Sequence, residues 1–312
     1  MRIAVTGAAG FIGSNLLPLL FSRGYRVVAL TEPGVPTGFN SLEPHPVDVS
    51  SGEGLAESLR DADGVIHLAA RNHVLKETER DPLSAYRRVN VDGTRNVVRA
   101  AVRAGARWFI HFSSVKAMGE GGDAVFDENS PCNPLTPYGI SKLESEEVVR
   151  HVAGGCDLRA YIFRLPMVYG PRNLGNLPRM IRWADRGLPF PLFQPDNLRS
   201  MVYVGNVVHA VLLAIRKAPT GLSTYILKDA EDYSTRRIYD AVCRELGKAS
   251  RFLPVPAWMV HLGGALSEDI RKVTGSFRVS SEKIRKELGY SPPFSLEQGI
   301  AETVQWYKRS AR

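Results

Sequence analysis

Three glycines, at positions 7, 10 and 13, separate the apolar run Ile3-Ala4-Val5-Thr6 from an apolar-periodic segment over residues 11–21. The run reads as a short buried strand and the periodic segment as a helix. A strand that turns through spaced glycines straight into a helix leaves unpaired N–H groups at the helix start, and these attract negative charge. Gly7 suits the tight turn, Gly10 the approach of backbone to phosphate oxygens, and Gly13 the close packing of helix on strand. The spacing is G-x-x-G-x-x-G rather than G-x-G-x-x-G. Its place between a first strand and a first helix still points to a dinucleotide pyrophosphate.

Further strands are expected at 25–30, 65–68, 108–112 and 158–165, with helices at about 83–104 and 138–151. Strands alternating with helices of this length need crossover connections, which give an α/β fold: a Rossmann-like, doubly wound parallel sheet covered on both faces. Ligands then bind beyond the carboxyl ends of the strands. After about residue 170 prolines punctuate shorter elements, and helices are expected at 204–217, 235–246 and 296–308. The expected division is a dinucleotide-binding domain over 1–170, to which about 198–230 returns. Residues 171–312 then form mainly a smaller, partly interleaved C-terminal substrate lobe.

Charge narrows the partners. Forty Lys and Arg against 32 Asp and Glu give a formal net charge of +8. These charges are spread along the chain without basic–aromatic interleaving, which argues against nucleic acid and leaves an anionic, phosphate-bearing small molecule. No apolar stretch reaches the length of a membrane span, and Gly7, Gly10, Gly13, Ser14 and Asn15 interrupt the N-terminal run before it can act as a secretory signal. Cys132, Cys156 and Cys243 are scattered, so neither a disulfide framework nor a metal site is expected. A reducing, cytoplasmic setting fits.

Tyr138-Gly139-Ile140-Ser141-Lys142 opens a helix, and a spacing of four puts phenol and ammonium on one face. A nearby ammonium favours the phenolate and brings a poor base nearer working pH. About two dozen residues upstream, Phe112-Ser113-Ser114 ends a strand, from which a hydroxyl can bind the same reacting oxygen.

These segments together resemble the extended short-chain dehydrogenases/reductases of the NAD-dependent epimerase/dehydratase family. The carriers are Thr6-Gly7-Ala8-Ala9-Gly10-Phe11-Ile12-Gly13, His67-Leu68-Ala69-Ala70, Val89-Asn90-Val91-Asp92-Gly93-Thr94, Tyr138 with Lys142, Phe163-Arg164-Leu165-Pro166-Met167-Val168-Tyr169-Gly170-Pro171 and Lys283 to Tyr290. The resemblance runs from residue 1 to about 309.

It implies Ser114, Tyr138 and Lys142 as catalytic residues, with Ser113 as the fallback serine, and a largely structural Asn90. It implies cofactor contacts from Gly7, Gly10, Phe11, Ile12, Gly13, Thr31, Glu32, Asp48, Val49, Leu68, Ala69, Ala70, Tyr138, Lys142 and Leu165. Relatives that prefer NAD usually carry an acid where Thr31 stands, with Glu32 following here. No Arg or Lys lies between 27 and 59 to meet a 2′-phosphate, so NAD is preferred and NADP stays possible.

Substrate contacts are implied for Ser114, Asn176, Leu192 (or Phe193) and Arg199, whose fork suits a diphosphate. Dehydratases of the family usually carry Thr-Asp-Glu where this chain has Ser114-Val115-Lys116, which disfavours dehydration. The implied function is an NAD-dependent 4-epimerase of a UDP-hexose. The alternatives are an NAD(P)H-dependent reductase of a UDP-4-keto-sugar and a non-catalytic dinucleotide sensor. A homodimer through the helices at 83–104 and 138–151 is implied as well.

Overall fold

A computed structural model describes residues 1–36, 44–72, 79–122, 124–192, 197–217, 221–254 and 276–310. The first half runs β1 (Arg2–Thr6), α1 (Phe11–Ser22), β2 (Arg26–Thr31), β3 (His45–Pro46), α2 (Leu55–Ser58), β4 (Gly64–His67), α3 (Pro82–Arg87), a π-helical turn at Arg88–Asp92, α4 (Gly93–Arg103), β5 (Trp108–Ser114), β6 (Val125–Phe126), α5 (Pro137–Gly154) and β7 (Arg159–Leu165). The second half runs β8 (Met167–Tyr169), α6 (Asn176–Asp185), β9 (Phe190–Leu192), β10 (Leu198–Tyr203), α7 (Val204–Lys217), β11 (Leu222–Ile226), β12 (Asp232–Ser234), α8 (Thr235–Leu246), β13 (Phe252–Pro254), β14 (Arg278–Val279), α9 (Glu282–Leu288) and α10 (Leu296–Ser310).

Seven strands form one parallel sheet in the order β11-β7-β5-β4-β1-β2-β3. Both faces are covered. Leu16, Leu17 and Leu20 of α1 pack with Val207, Val208 and Val211 of α7 on one side, and Val97 and Val98 of α4 pack with Val149 of α5 on the other. This is why β4 and β5 are buried along their whole length instead of alternating. Successive helices leave β1 and β4 toward opposite faces, which opens a crevice at the carboxyl ends of these neighbouring strands.

Within the expected return at 198–230, α7 and β11 join this sheet and its faces. β10 instead pairs with β8 and β12 in a separate three-stranded sheet. Ile284, Leu288 and Tyr290 also pack into the α1–α7 core. A further cluster around Tyr169, Tyr203, Tyr239 and Ile300 gathers α6, α8 and α10.

The helix expected over 83–104 is two helices joined by the π-turn. Asn90, inside that turn and 1% exposed, accepts from the Arg71 N–H at 2.8 Å and donates to the Arg71 carbonyl at 3.1 Å and to Ser141 Oγ at 3.0 Å. The irregular turn presents a fully satisfied amide that staples the loop after β4 to α5. No helix among the described residues is long and apolar enough to cross a membrane.

Candidate functional site

A cleft of about 730 Å³ lies at the carboxyl ends of β1, β2, β4, β5 and β7. Gly7, Gly10, Phe11, Ile12, Gly13, Thr31, Glu32, Asp48, Val49, Leu68, Ala69, Ala70, Ser114, Tyr138, Lys142 and Leu165 all line it. Seven chain segments far apart in sequence therefore converge on one groove.

The glycine turn is built as its spacing suggests, with one difference. Gly7 has φ +64°, and a Cβ there would sit 2.7 Å from the Ala69 nitrogen, so the turn after β1 presses directly on the segment after β4. At Gly13 a Cβ would strike the carbonyl oxygens of Ala8 and Gly7. Its small size thus clears the turn itself rather than a helix–strand contact. The Gly10 N–H closes the turn onto the Gly7 carbonyl at 3.0 Å.

Thr31 takes the end of β2, and its hydroxyl is buried with no hydrogen-bond partner, while Glu32 beside it is exposed. An orphaned hydroxyl at the rim and a glycine cradle at the first turn fit a dinucleotide: Gly7, Gly10 and Gly13 would hold its phosphates, Thr31 and Glu32 a ribose. Asp48 accepts from Ser50 N and Oγ, which holds its carboxyl below the usual range. Basic side chains are not absent from the groove, since Arg71 and Arg88 line it from outside the 27–59 window.

Tyr138 stands one residue into α5, whose Thr136 cap accepts from the Gly139 N–H at 3.2 Å. Its phenol is pushed up to about 12 by its low-polarity surroundings, opposed by a hydrogen bond with Ser114. The Ser114 hydroxyl has a second partner in the Leu165 carbonyl at 3.4 Å, and its single proton serves one of the two at a time. Ser113 instead donates to Glu146 Oε1 at 2.6 Å, so Ser114 is the serine that meets Tyr138.

Tyr138 and Lys142 both line the cleft, and the Lys142 ammonium donates to the Phe112 carbonyl at 2.6 Å. Burial lowers Lys142 to about 8, with the Glu146 carboxylate pulling the other way.

Beneath the groove, His67 and His111 stack at 5.6 Å. Thr94 gives its one hydroxyl proton to the Asn90 carbonyl, so His67 Nε2 must donate to Thr94 and Nδ1 must accept from Thr6 Oγ1 at 2.7 Å. Burial and the Lys142 charge push His67 down to about 3, which keeps it neutral. Sequence reasoning missed this layer. Glu146 was the traceable part, since Tyr138, Lys142 and Glu146 stand at spacings of four along one helix.

Of the implied substrate residues, Ser114 lines the cleft, while Asn176 and Arg199 lie apart from it. Arg199, on β10, is partly buried, its Nε has no hydrogen-bond partner, and burial alone lowers it to about 10. Asn176 is exposed in the first turn of α6. Leu192 ends β9, but its side chain, like Phe193, lies outside the described residues.

Comparison with known proteins gives a consistent picture. The model of the NAD dependent epimerase/dehydratase family matches residues 3–226. A UDP-glucose 4-epimerase of Vibrio cholerae is 30% identical over 309 residues, covering 97% of this chain and 94% of the relative. A dTDP-glucose 4,6-dehydratase of Streptomyces griseus is 29% identical over 330 residues, covering 99% and 94%. The structure of MoeE5 in complex with UDP-glucose and NAD superposes with a TM-score of 0.82 at 28% identity over all of both chains.

Proposed function

Because this chain belongs to the NAD dependent epimerase/dehydratase family, we propose that it is a nucleotide-sugar 4-epimerase that transiently oxidises C4 of a UDP-hexose. Ser114, Tyr138 and Lys142 are its catalytic residues in this reading. NAD, when bound, would supply the hydride acceptor, with Gly7, Gly10 and Gly13 holding its phosphates.

The choice of reaction rests on the two residues after Ser114. Val115 is buried at 4% exposure, and the Lys116 ammonium is bound to Glu120 at 2.6 Å. No carboxyl group stands in the two positions where dehydratases of the family usually carry Asp-Glu, which disfavours dehydration and favours oxidoreduction at one carbon. Tyr138 takes the proton of the sugar hydroxyl while Ser114 holds the shared oxygen through its hydrogen bond. Asn176 and Arg199 serve the diphosphate, and a guanidinium that is partly buried with an unused Nε–H suits that task.

Thr31 supports a second reading. Without an acid at the end of β2 the cofactor is held less firmly, as a reductase of a UDP-4-keto-sugar requires. Mass spectrometry of small molecules released from freshly purified protein, followed by incubation with UDP-glucose, UDP-galactose and their N-acetyl forms, tests both. Near-stoichiometric NAD with sugar interconversion is the expected result. Empty protein that consumes NADH or NADPH with a keto-sugar points to the reductase, and failure of both sinks the oxidoreductive reading.

A further inference from the structure

The carboxylate of Glu146 is completely buried, which is costly unless its oxygens are fully used. It accepts from Ser113 Oγ at 2.6 Å, from Arg164 Nε and Nη2 at 2.9 and 2.8 Å, and from Arg150 Nη2 at 2.9 Å. Each strand donor sits one residue from a group that shapes the site. Ser113 precedes Ser114 at the end of β5, and Arg164 precedes Leu165, whose carbonyl receives the Ser114 hydroxyl. Glu146 itself lies one turn beyond Lys142 and two beyond Tyr138 on α5.

We propose that Glu146 is a positioning residue: its carboxylate ties the ends of β5 and β7 to α5 and so holds Ser114 against Tyr138 while its charge faces the Lys142 ammonium. An ionised oxygen with short, charge-assisted bonds on several sides is a stiffer tie than packing alone. An arginine and a serine on neighbouring strands, β7 and β5, meet at one carboxylate, so the two strand ends share an anchor.

Electrostatics give the same residue a second effect. The groups around Lys142 are Tyr138 and Glu146 of its own helix, His67 of β4 and His111 of β5, and both histidines are held neutral by burial. Arg150 and Arg164 both pair with the Glu146 carboxylate. Glu146 is therefore the one anion in this group that favours protonated Lys142.

The inference rests on Tyr138 and Lys142 being the acid–base pair of the proposed reaction, and its test has an arm that needs no substrate. Carbon-13 NMR of lysine-labelled protein tracks the titration of Lys142, assigned by its loss in Lys142→Met, alongside steady-state turnover of a UDP-hexose. Glu146→Gln is expected to lower the Lys142 midpoint by about half a pH unit or more and kcat by about tenfold or more, with KM within about twofold. Ser113→Ala keeps the ion pairs and folds more readily. It is expected to lower kcat by about threefold or more without moving the Lys142 midpoint.

A Lys142 midpoint unchanged in Glu146→Gln, or both variants turning over at the wild-type rate, overturns the inference. Wild-type protein inert toward every nucleotide sugar sinks the functional reading instead, and the lysine titration still decides whether Glu146 governs Lys142.

Discussion

The Lys142 ammonium is anchored to the Phe112 carbonyl at 2.6 Å, in the strand beneath α5, so the cation of the site is a fixture of the floor rather than a free side chain at its mouth. At 2% exposure it is also a buried charge. The fall of its pKa from 10.5 to about 8 corresponds to about 3 kcal/mol against the charged form. Below pH 8 both folded and unfolded chains carry the proton, and this cost is fully present. Between about 8 and 10.5 the unfolded chain keeps a proton that the folded one has released, so the cost fades as pH rises.

Lys142→Met should therefore separate stability from activity. Turnover is expected to fall by about 10²-fold or more. The free energy of unfolding at pH 7 should rise by about 1–2 kcal/mol, after subtracting about 1 kcal/mol for the lost hydrogen bond. Denaturant unfolding at pH 7 and pH 10 checks this, and an advantage that does not shrink at the higher pH contradicts the account.

Tyr138→Phe removes the ionisable oxygen and leaves the ring that meets Tyr86 edge-on at 5.9 Å. We expect kcat to drop by about 10²-fold or more with retained NAD unchanged. Comparable turnover by this variant would remove Tyr138 from the chemistry.

Thr31→Val replaces an orphaned hydroxyl with a methyl of similar shape. The free protein should be as stable as wild type or more so, because no hydrogen bond is lost. NAD should bind about three- to tenfold more weakly, which isothermal titration on cofactor-stripped protein reads directly.

Arg199→Met tests the second lobe. With an Nε–H that nothing in the described chain accepts, this side chain adds little to folding and is free for an anion. The expected result is a KM for the nucleotide sugar raised about 10-fold or more, a kcat within about threefold, and an unfolding midpoint not below wild type. A lowered midpoint with normal KM would assign Arg199 to the fold instead.

The glycine turn, the paired positions 138 and 142, and helices α7, α8 and α10 were legible because each rests on local spacing. The π-turn was not, since the apolar pattern of 83–104 continues through it, and only the bonds of Asn90 to the Arg71 backbone show where the winding changes. The Lys142 contact with Phe112 and the strand contacts of Glu146 are equally non-local: Phe112 sits 30 residues from Lys142, and Arg164 and Ser113 sit 18 and 33 from Glu146. β3 and β11, at the two edges of the sheet, also escaped, β3 because two residues carry no periodicity.

The hydrogen bonds that Ser114 and Lys142 donate away from the groove both end on main-chain oxygens, those of Leu165 and Phe112. A carbonyl accepts a proton's attraction but cannot hand a proton on. Through these two contacts the floor is a dead end for proton traffic, so in the proposed reaction a proton lifted from a sugar hydroxyl by Tyr138 would return to the oxygen it left. An epimerisation closes on itself in this way and needs no exchange with bulk water, whereas a reductase would have to draw one new proton per turnover through the mouth that admits the sugar.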